Sequence, residues 1–279
     1  MSDLDFQHFL DPFVSPTWLG EHRSEVVLAD ARYYLDGRDS YAAYRAGHLP
    51  GAVFIDVEHW LSGPPSAEGG RHPLPAPEVF AEGMAAAGIG DDTVVVAYDD
   101  AGGVIAARLV WMLRSTGHRA ALLDGGLDAW GGPLERTRTI PDRARFSPVP
   151  WPTQSLATVE DALDPGVVTV DARPRERYDG HHPDPVDPRA GHIPGARSLP
   201  CRQHLGADKT LLPAARLREA FRAAGVADAK AMVSYCGSGI TACHNLLVAE
   251  HLGLGSGRLY VGSWSQYSQD PTRPVETTP

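Results

Sequence analysis

Cys236 stands in the run Tyr235-Cys236-Gly237-Ser238-Gly239-Ile240-Thr241-Ala242, where residue types and spacing suit nucleophilic chemistry. The apolar run Ala231 to Ser234 reads as a strand and Cys243 to Ala249 as a helix. The N–H groups of the turn and the positive end of the helix therefore converge on one point, with the sulfur there. Such surroundings favour a thiolate, which is the reactive form of cysteine. Gly237 and Gly239 let the backbone curl around the sulfur, and Ser238 adds a hydroxyl. A lone cysteine at a strand end is more commonly a packed core residue. Glycines on both sides of Ser238, with a helix directly behind, favour the reactive reading. Cys243 falls on the same helical face two turns on and reads as core, whereas Cys201, beside Pro200, reads as exposed without a redox role.

The elements that must position this turn recur along the chain. Ser15-Pro16 opens a helix, with Ser15 as cap and Pro16 at the first helical position. A strand at Val26 to Leu28 ends in Asp30-Ala31-Arg32. A helix from Ser40 to Ala46 runs into Gly47-His48-Leu49-Pro50-Gly51-Ala52, and a strand follows at Val53 to Ile55. Beyond a Gly- and Pro-rich loop from Ser62 to Pro75 come a helix from Pro77, a strand at Val94 to Tyr98, a helix from Val104 to Arg114 and a strand at Ala121 to Leu123. Alternating strands and helices predict an α/β fold with a parallel sheet. The order then returns. Asp171-Ala172-Arg173 repeats Asp30-Ala31-Arg32, and Gly191 to Ala196 repeats Gly47 to Ala52. Tyr235 matches Tyr98 and Gly262 matches Gly125, both at an offset of 137 (235 − 98 and 262 − 125). These matches predict two tandem copies, 1–145 and 146–279, joined through the Pro-rich connector Gly131 to Gln154. In the first copy Asp99 occupies the position of Cys236, so only the second copy can do thiol chemistry. His48 and His192 occupy one place in both copies, which marks them as turn-fixing rather than catalytic. His181-His182 reads as a solvated loop pair.

Composition bounds the rest. The 279 residues suffice for two domains, and 43% hydrophobic with 22% charged content fits a soluble globular chain. A formal net charge of −10 argues against nucleic acid or an anionic membrane as partner. There is no apolar run of the roughly 18 residues a membrane span needs. The start Met-Ser-Asp-Leu-Asp-Phe is acidic where a signal peptide is basic and then apolar, so a cytoplasmic protein is expected. The three cysteines include no Cys-x-x-Cys pair, so neither a disulfide framework nor a metal site is expected.

Taken together in order, Asp-Ala-Arg and Gly-His-(Leu/Ile)-Pro-Gly-Ala in both halves, Leu122 to Leu127, Cys236 to Ala242 and Gly262-Ser263-Trp264-Ser265 resemble the two-domain rhodanese-like sulfurtransferases over essentially the whole chain. The resemblance implies two rhodanese-like domains, the first inactive. It also implies that Cys236 takes a sulfane sulfur from a small donor, carries it as a persulfide and passes it to a thiol such as thioredoxin or a low-molecular-weight thiol, or to cyanide. No cofactor is implied. The Gly-Ser-Gly turn resembles the 3-mercaptopyruvate branch; the thiosulfate branch usually has basic residues after the cysteine, which the dianion needs. The same resemblance assigns Ser238 and His72 to a proton relay. It assigns Gly237, Gly239, Ile240, Thr241 and Arg177 to substrate binding, with Arg189 as the second cation because Pro185-Val186 stands where an arginine is expected. Asp56 or Glu58 is offered as the acid behind His72.

Two other classes compete. A cysteine phosphatase uses the same strand–turn–helix cradle but needs an arginine six positions after the cysteine, where this chain has Ala242. A non-enzymatic sulfur-relay module, or a thiosulfate:cyanide sulfurtransferase, would use the same residues as the mercaptopyruvate enzyme.

Overall fold

The structure, a computed structural model, describes residues 10–278; the acidic start, Met1–Phe9, and Pro279 lie outside the described residues. The first half supplies β1 (Phe13–Val14), α1 (Pro16–Glu21), β2 (Val26–Asp30), α2 (Ser40–Ala46), β3 (Val53–Phe54), α3 (Val57–Trp60), α4 (Pro77–Ala86), β4 (Val94–Tyr98), α5 (Ala107–Ser115) and β5 (Ala120–Leu123). The second half supplies β6 (Leu156–Ala157), α6 (Val159–Leu163), β7 (Val168–Asp171), α7 (Arg175–Asp179), β8 (Arg197–Ser198), α8 (Ala214–Ala223), β9 (Met232–Tyr235), α9 (Ala242–His251), β10 (Arg258–Tyr260) and α10 (Ser263–Tyr267). Each half forms a five-stranded sheet, ordered β1-β5-β4-β2-β3 and β6-β10-β9-β7-β8, with every pairing parallel. The central strands β4 and β9 are buried along their whole length, as central strands of a parallel sheet are, and the hydroxyl of Ser234 in β9 donates to the Ala242 carbonyl at 3.0 Å.

The repeated motifs have repeated jobs. Asp30 lies opposite Tyr98 in the first sheet and Asp171 opposite Tyr235 in the second. Arg32 binds Asp30 at 2.6 Å and the Gly47 carbonyl at 2.9 Å; Arg173 binds Asp171 at 2.6 Å and the Gly191 carbonyl at 2.6 Å. His48 and His192 are buried and bond through Nδ1 to the carbonyls of Tyr44 and Tyr178, which fixes the turn into the next strand in both copies. His181 donates to the Thr278 carbonyl at 2.8 Å.

The chain divides into two compact units, with a passage at Pro150 to Trp151. The first comprises residues up to Leu61, Ala76–Pro150 and Ala207–Thr210; the second comprises Ser62–Pro75, Trp151–Gly206 and the chain from Leu211 onward. Ser62–Pro75 thus lies between β3 and β4 of the first copy in sequence yet belongs to the second unit. The first core gathers Leu19, Leu28, Leu49, Val96, Tyr98 and Leu123. The second gathers Ile193, Val233, Tyr235, Trp264 and Tyr267.

One helix begins later than its sequence suggests. The apolar run from Val104 becomes α-helical only at Ala107, because the N–H groups of Gly103, Ile105 and Ala106 are taken by the Asp99 carboxylate.

Candidate active site

Within the second unit, β9 delivers Cys236 to a turn that ends at α9, and the residue is buried. Its sulfur accepts the Gly239 N–H at 3.1 Å, and Gly239 takes φ +79°, which a side chain would resist. The start of α10 clamps the turn. Trp264 N–H donates to the Cys236 carbonyl at 2.9 Å, Ser265 N–H to the Gly237 carbonyl at 2.8 Å, and Cys236 N–H to Ser263 Oγ at 3.1 Å. Ser263 holds φ +51°, an uncommon left-handed conformation for a non-glycine residue. Backbone strain of this kind is stored where the surroundings over-determine it, here beside the thiol.

The loop carrying His72 reaches the same turn. His72 Nδ1 and Ser238 Oγ share a hydrogen bond of 2.7 Å, and both residues are buried. Arg71 N–H donates to Ser265 Oγ at 3.0 Å, which ties the loop to α10. A Cβ on Gly237 would lie 3.1 Å from Arg71 Nη2 and 3.4 Å from Arg177 Nη1, so two guanidinium groups stand over the turn. Arg177 binds Asp184 through Nε and Nη2, both at 2.9 Å, and Asp187 at 2.7 Å; Arg71 binds the other oxygen of Asp187. Burial works against the charge of Asp184, but the Arg177 guanidinium and the N–H groups of Val186 and Asp187 outweigh it and hold that carboxyl below its ordinary range.

The structure thus brings Cys236, Gly237, Ser238, Gly239, His72 and Arg177 together. Ile240 is buried in the turn and Thr241 leads into α9. Arg189 is elsewhere. Its guanidinium binds the carbonyls of Tyr267, Ser268, Asp270 and Arg273 at the end of α10 and just beyond it, whereas Arg71 stands beside Arg177 over Gly237. The two acids offered for His72 have other work: Asp56 caps α3 through the His59 N–H at 3.0 Å, and Glu58 accepts the Tyr33 hydroxyl at 3.0 Å. Cys201 is buried rather than exposed, and burial together with the nearby Cys236 pushes its thiol up to about 12. Cys243 packs in the core and donates its S–H to the Gly239 carbonyl at 3.4 Å.

The first unit holds the corresponding cradle in a filled state. Asp99 is buried, and its carboxylate accepts N–H groups from Ala101 and Gly103 at 2.7 Å, Ile105 at 2.7 Å and Ala106 at 2.9 Å. Burial pushes its carboxyl pKa up against these four bonds. At the 137-residue offset, the four donors correspond to Ser238, Ile240, Ala242 and Cys243.

Residues 15–132 and 155–270 each match the rhodanese-like domain family. The chain is 40% identical over 265 residues to a probable 3-mercaptopyruvate sulfurtransferase of Pseudomonas aeruginosa, covering 91% of this chain and 93% of that one. It is 39% identical over 259 residues to SseB of Mycobacterium tuberculosis, which bears a thiosulfate sulfurtransferase name, covering 90% of each. The 3-mercaptopyruvate sulfurtransferase structure from Leishmania major superposes with a TM-score of 0.83 at 35% identity, covering 92% of this chain and 74% of that one.

Proposed function

The chain belongs to the rhodanese-like sulfurtransferase family, and on that premise we propose that its second unit moves a sulfane sulfur from 3-mercaptopyruvate, through a persulfide on Cys236, to a thiol or cyanide. The observation that carries the choice of donor is that the two guanidinium groups over Gly237 are already paired with Asp184 and Asp187, which leaves them placed to hold a single carboxylate one residue away from the thiol. The Cys236 thiolate attacks the sulfur of the donor. The sulfur–carbon bond breaks and its electrons pass to the enolate of pyruvate, while the new S–S bond forms the persulfide. The Ser238–His72 pair delivers the proton the enolate carbon needs, for which an imidazole suits neutral pH. An acceptor thiolate or cyanide then attacks the outer sulfur and regenerates the thiolate of Cys236.

The filled cradle of the first unit supports the persulfide step. In Asp99 the path Cβ–Cγ–Oδ has as many bonds as Cβ–Sγ–Sδ in a persulfide, so the carboxylate oxygens mark where an outer sulfur would meet the turn's N–H groups. With Asp99 in place of a nucleophile, the first unit carries no sulfur.

Thiosulfate is the second reading, favoured by the nearness of Arg71 and Arg177 to a turn that itself has no cation. Steady-state comparison of the two donors tests the assignment, with 3-mercaptopyruvate expected to show the higher kcat/KM. Cyanide-labile sulfur should appear on the donor-treated enzyme and be absent from Cys236→Ser. Full activity in that variant would remove Cys236 from the mechanism, and negligible turnover with both small donors would favour a sulfur-relay module loaded by a partner. No helix of the described residues is long and apolar enough to cross a membrane. The three cysteines are free, and a cytoplasmic setting fits them.

A further inference from the structure

Charge at the mouth of the Cys236 turn is balanced by three arginines and three aspartates. Arg173 binds Asp171 and Asp184, Arg177 binds Asp184 and Asp187, and Arg71 binds Asp187. Asp187 is the member that joins the two guanidinium groups standing over Gly237, one carboxylate oxygen to each, and its side chain is only 1% exposed. Its neighbour Val186 adds no cation to the stretch and is exposed.

We propose that Asp187 is the residue that sets donor selectivity, by neutralising the Arg71–Arg177 pair so that the site accepts a single carboxylate and disfavours a dianion. The inference rests on the sulfurtransferase reading above and deepens it. A carboxylate fixed between two arginines repels an entering anion in proportion to that anion's charge, so it penalises thiosulfate twice as heavily as the carboxylate of mercaptopyruvate. The arginines alone would rank the donors the other way, because they would attract the dianion more strongly. Asp187 acts through the two arginines, as a positioning and charge-setting residue.

The test compares Asp187→Asn, which removes the charge, with Asp187→Glu, which keeps it. Asparagine should raise the ratio of kcat/KM for thiosulfate over mercaptopyruvate about tenfold, the effect of one partly screened charge at this range. Glutamate should leave that ratio at the wild-type value whatever happens to absolute rates. An unchanged ratio in Asp187→Asn, or an equal shift in both variants, would overturn the proposal, since a purely structural role slows both donors together. A second measurement needs no turnover: protection of Cys236 from alkylation by the neutral reagent iodoacetamide, with sulfate as the dianion and pyruvate as the monoanion. Wild type should be protected at lower concentration by pyruvate, and Asp187→Asn should reverse the order. Sulfate protecting the wild type better would refute the proposal even if the asparagine variant failed to fold. If wild type turns over neither donor, the mercaptopyruvate assignment falls, while the protection order still decides the role of Asp187.

Discussion

Arg177 reaches Asp184 and Asp187 with its guanidinium while remaining 17% exposed over Gly237, so it is anchored on one side and open to a ligand on the other. This geometry pre-pays the ordering of a long side chain, leaving a donor's carboxylate to gain the full benefit of the contact. Arg177→Ala should therefore cost about 2–4 kcal/mol of transition-state stabilisation with mercaptopyruvate, in the range for truncating one partner of a buried charge pair. Steady-state kinetics checks it; unchanged mercaptopyruvate kinetics would place the donor's carboxylate elsewhere. Asp187 would retain Arg71 in that variant, so the second unit should still fold.

At the scale of elements, the His72 loop depends on α10. Gly70 has φ +77°, and a Cβ there would meet the Gly262 carbonyl oxygen and Ser265 Oγ, each at 2.6 Å. Gly70→Ala should push the loop off α10 and displace Arg71 and His72 from the turn. A loss of about a hundredfold in kcat/KM is expected, the cost of an ångström-scale misplacement, with circular dichroism unchanged. Retained activity would show that the loop can relax without losing its hold on the turn. The same contacts explain what could be read from the chain alone. The Cys236 turn, the strand–helix alternation and the repeat are carried by neighbouring residues, and local pattern exposes them. Arg71 meets Ser265 across 194 positions, so no spacing announces it, although it adjoins His72. Ser263 and Ser265 were visible as a motif, but their grip on Cys236 and Arg71 comes from tertiary packing. The partners of Arg189 are hidden for the same reason: nothing local shows that carbonyls 78 to 84 positions away bind its guanidinium.

For the molecule as a whole, acid should be the weak side of its stability. His204 is 1% exposed, stacks on Phe221 and His244, and among the described residues neither of its ring nitrogens has a hydrogen-bond partner. Burial pushes its pKa down to about 4, and burial together with His204 and Arg202 also drives His244 well below the ordinary histidine range. Because the unfolded chain protonates at an ordinary histidine pKa near 6.5 while the folded one resists, this contribution is complete above that pH and is lost as pH falls from about 6.5 toward 4. His204 alone accounts for up to about 3 kcal/mol over that window. Urea midpoints measured at pH 7 and pH 4.5 should fall accordingly, and His204→Phe should shrink the difference; an identical pH slope in that variant would rule His204 out as a source.

The placement of Ser62–Pro75 in the second unit also bears on how the protein is made. The chain leaves the first unit at Leu61 and rejoins it at Ala76, so a ribosome delivers the His72 loop long before the surface on which it rests. His72 and Ser238 are 166 positions apart, and at about 5–20 residues per second the loop waits roughly 8–33 s for its partner to be synthesised. During that interval the nascent first unit must close its own sheet around an excursion it cannot use. Arg71 and His72 wait for α10, so the His72–Ser238 contact and the pair of guanidinium groups over Gly237 are among the last features of the protein to come into being.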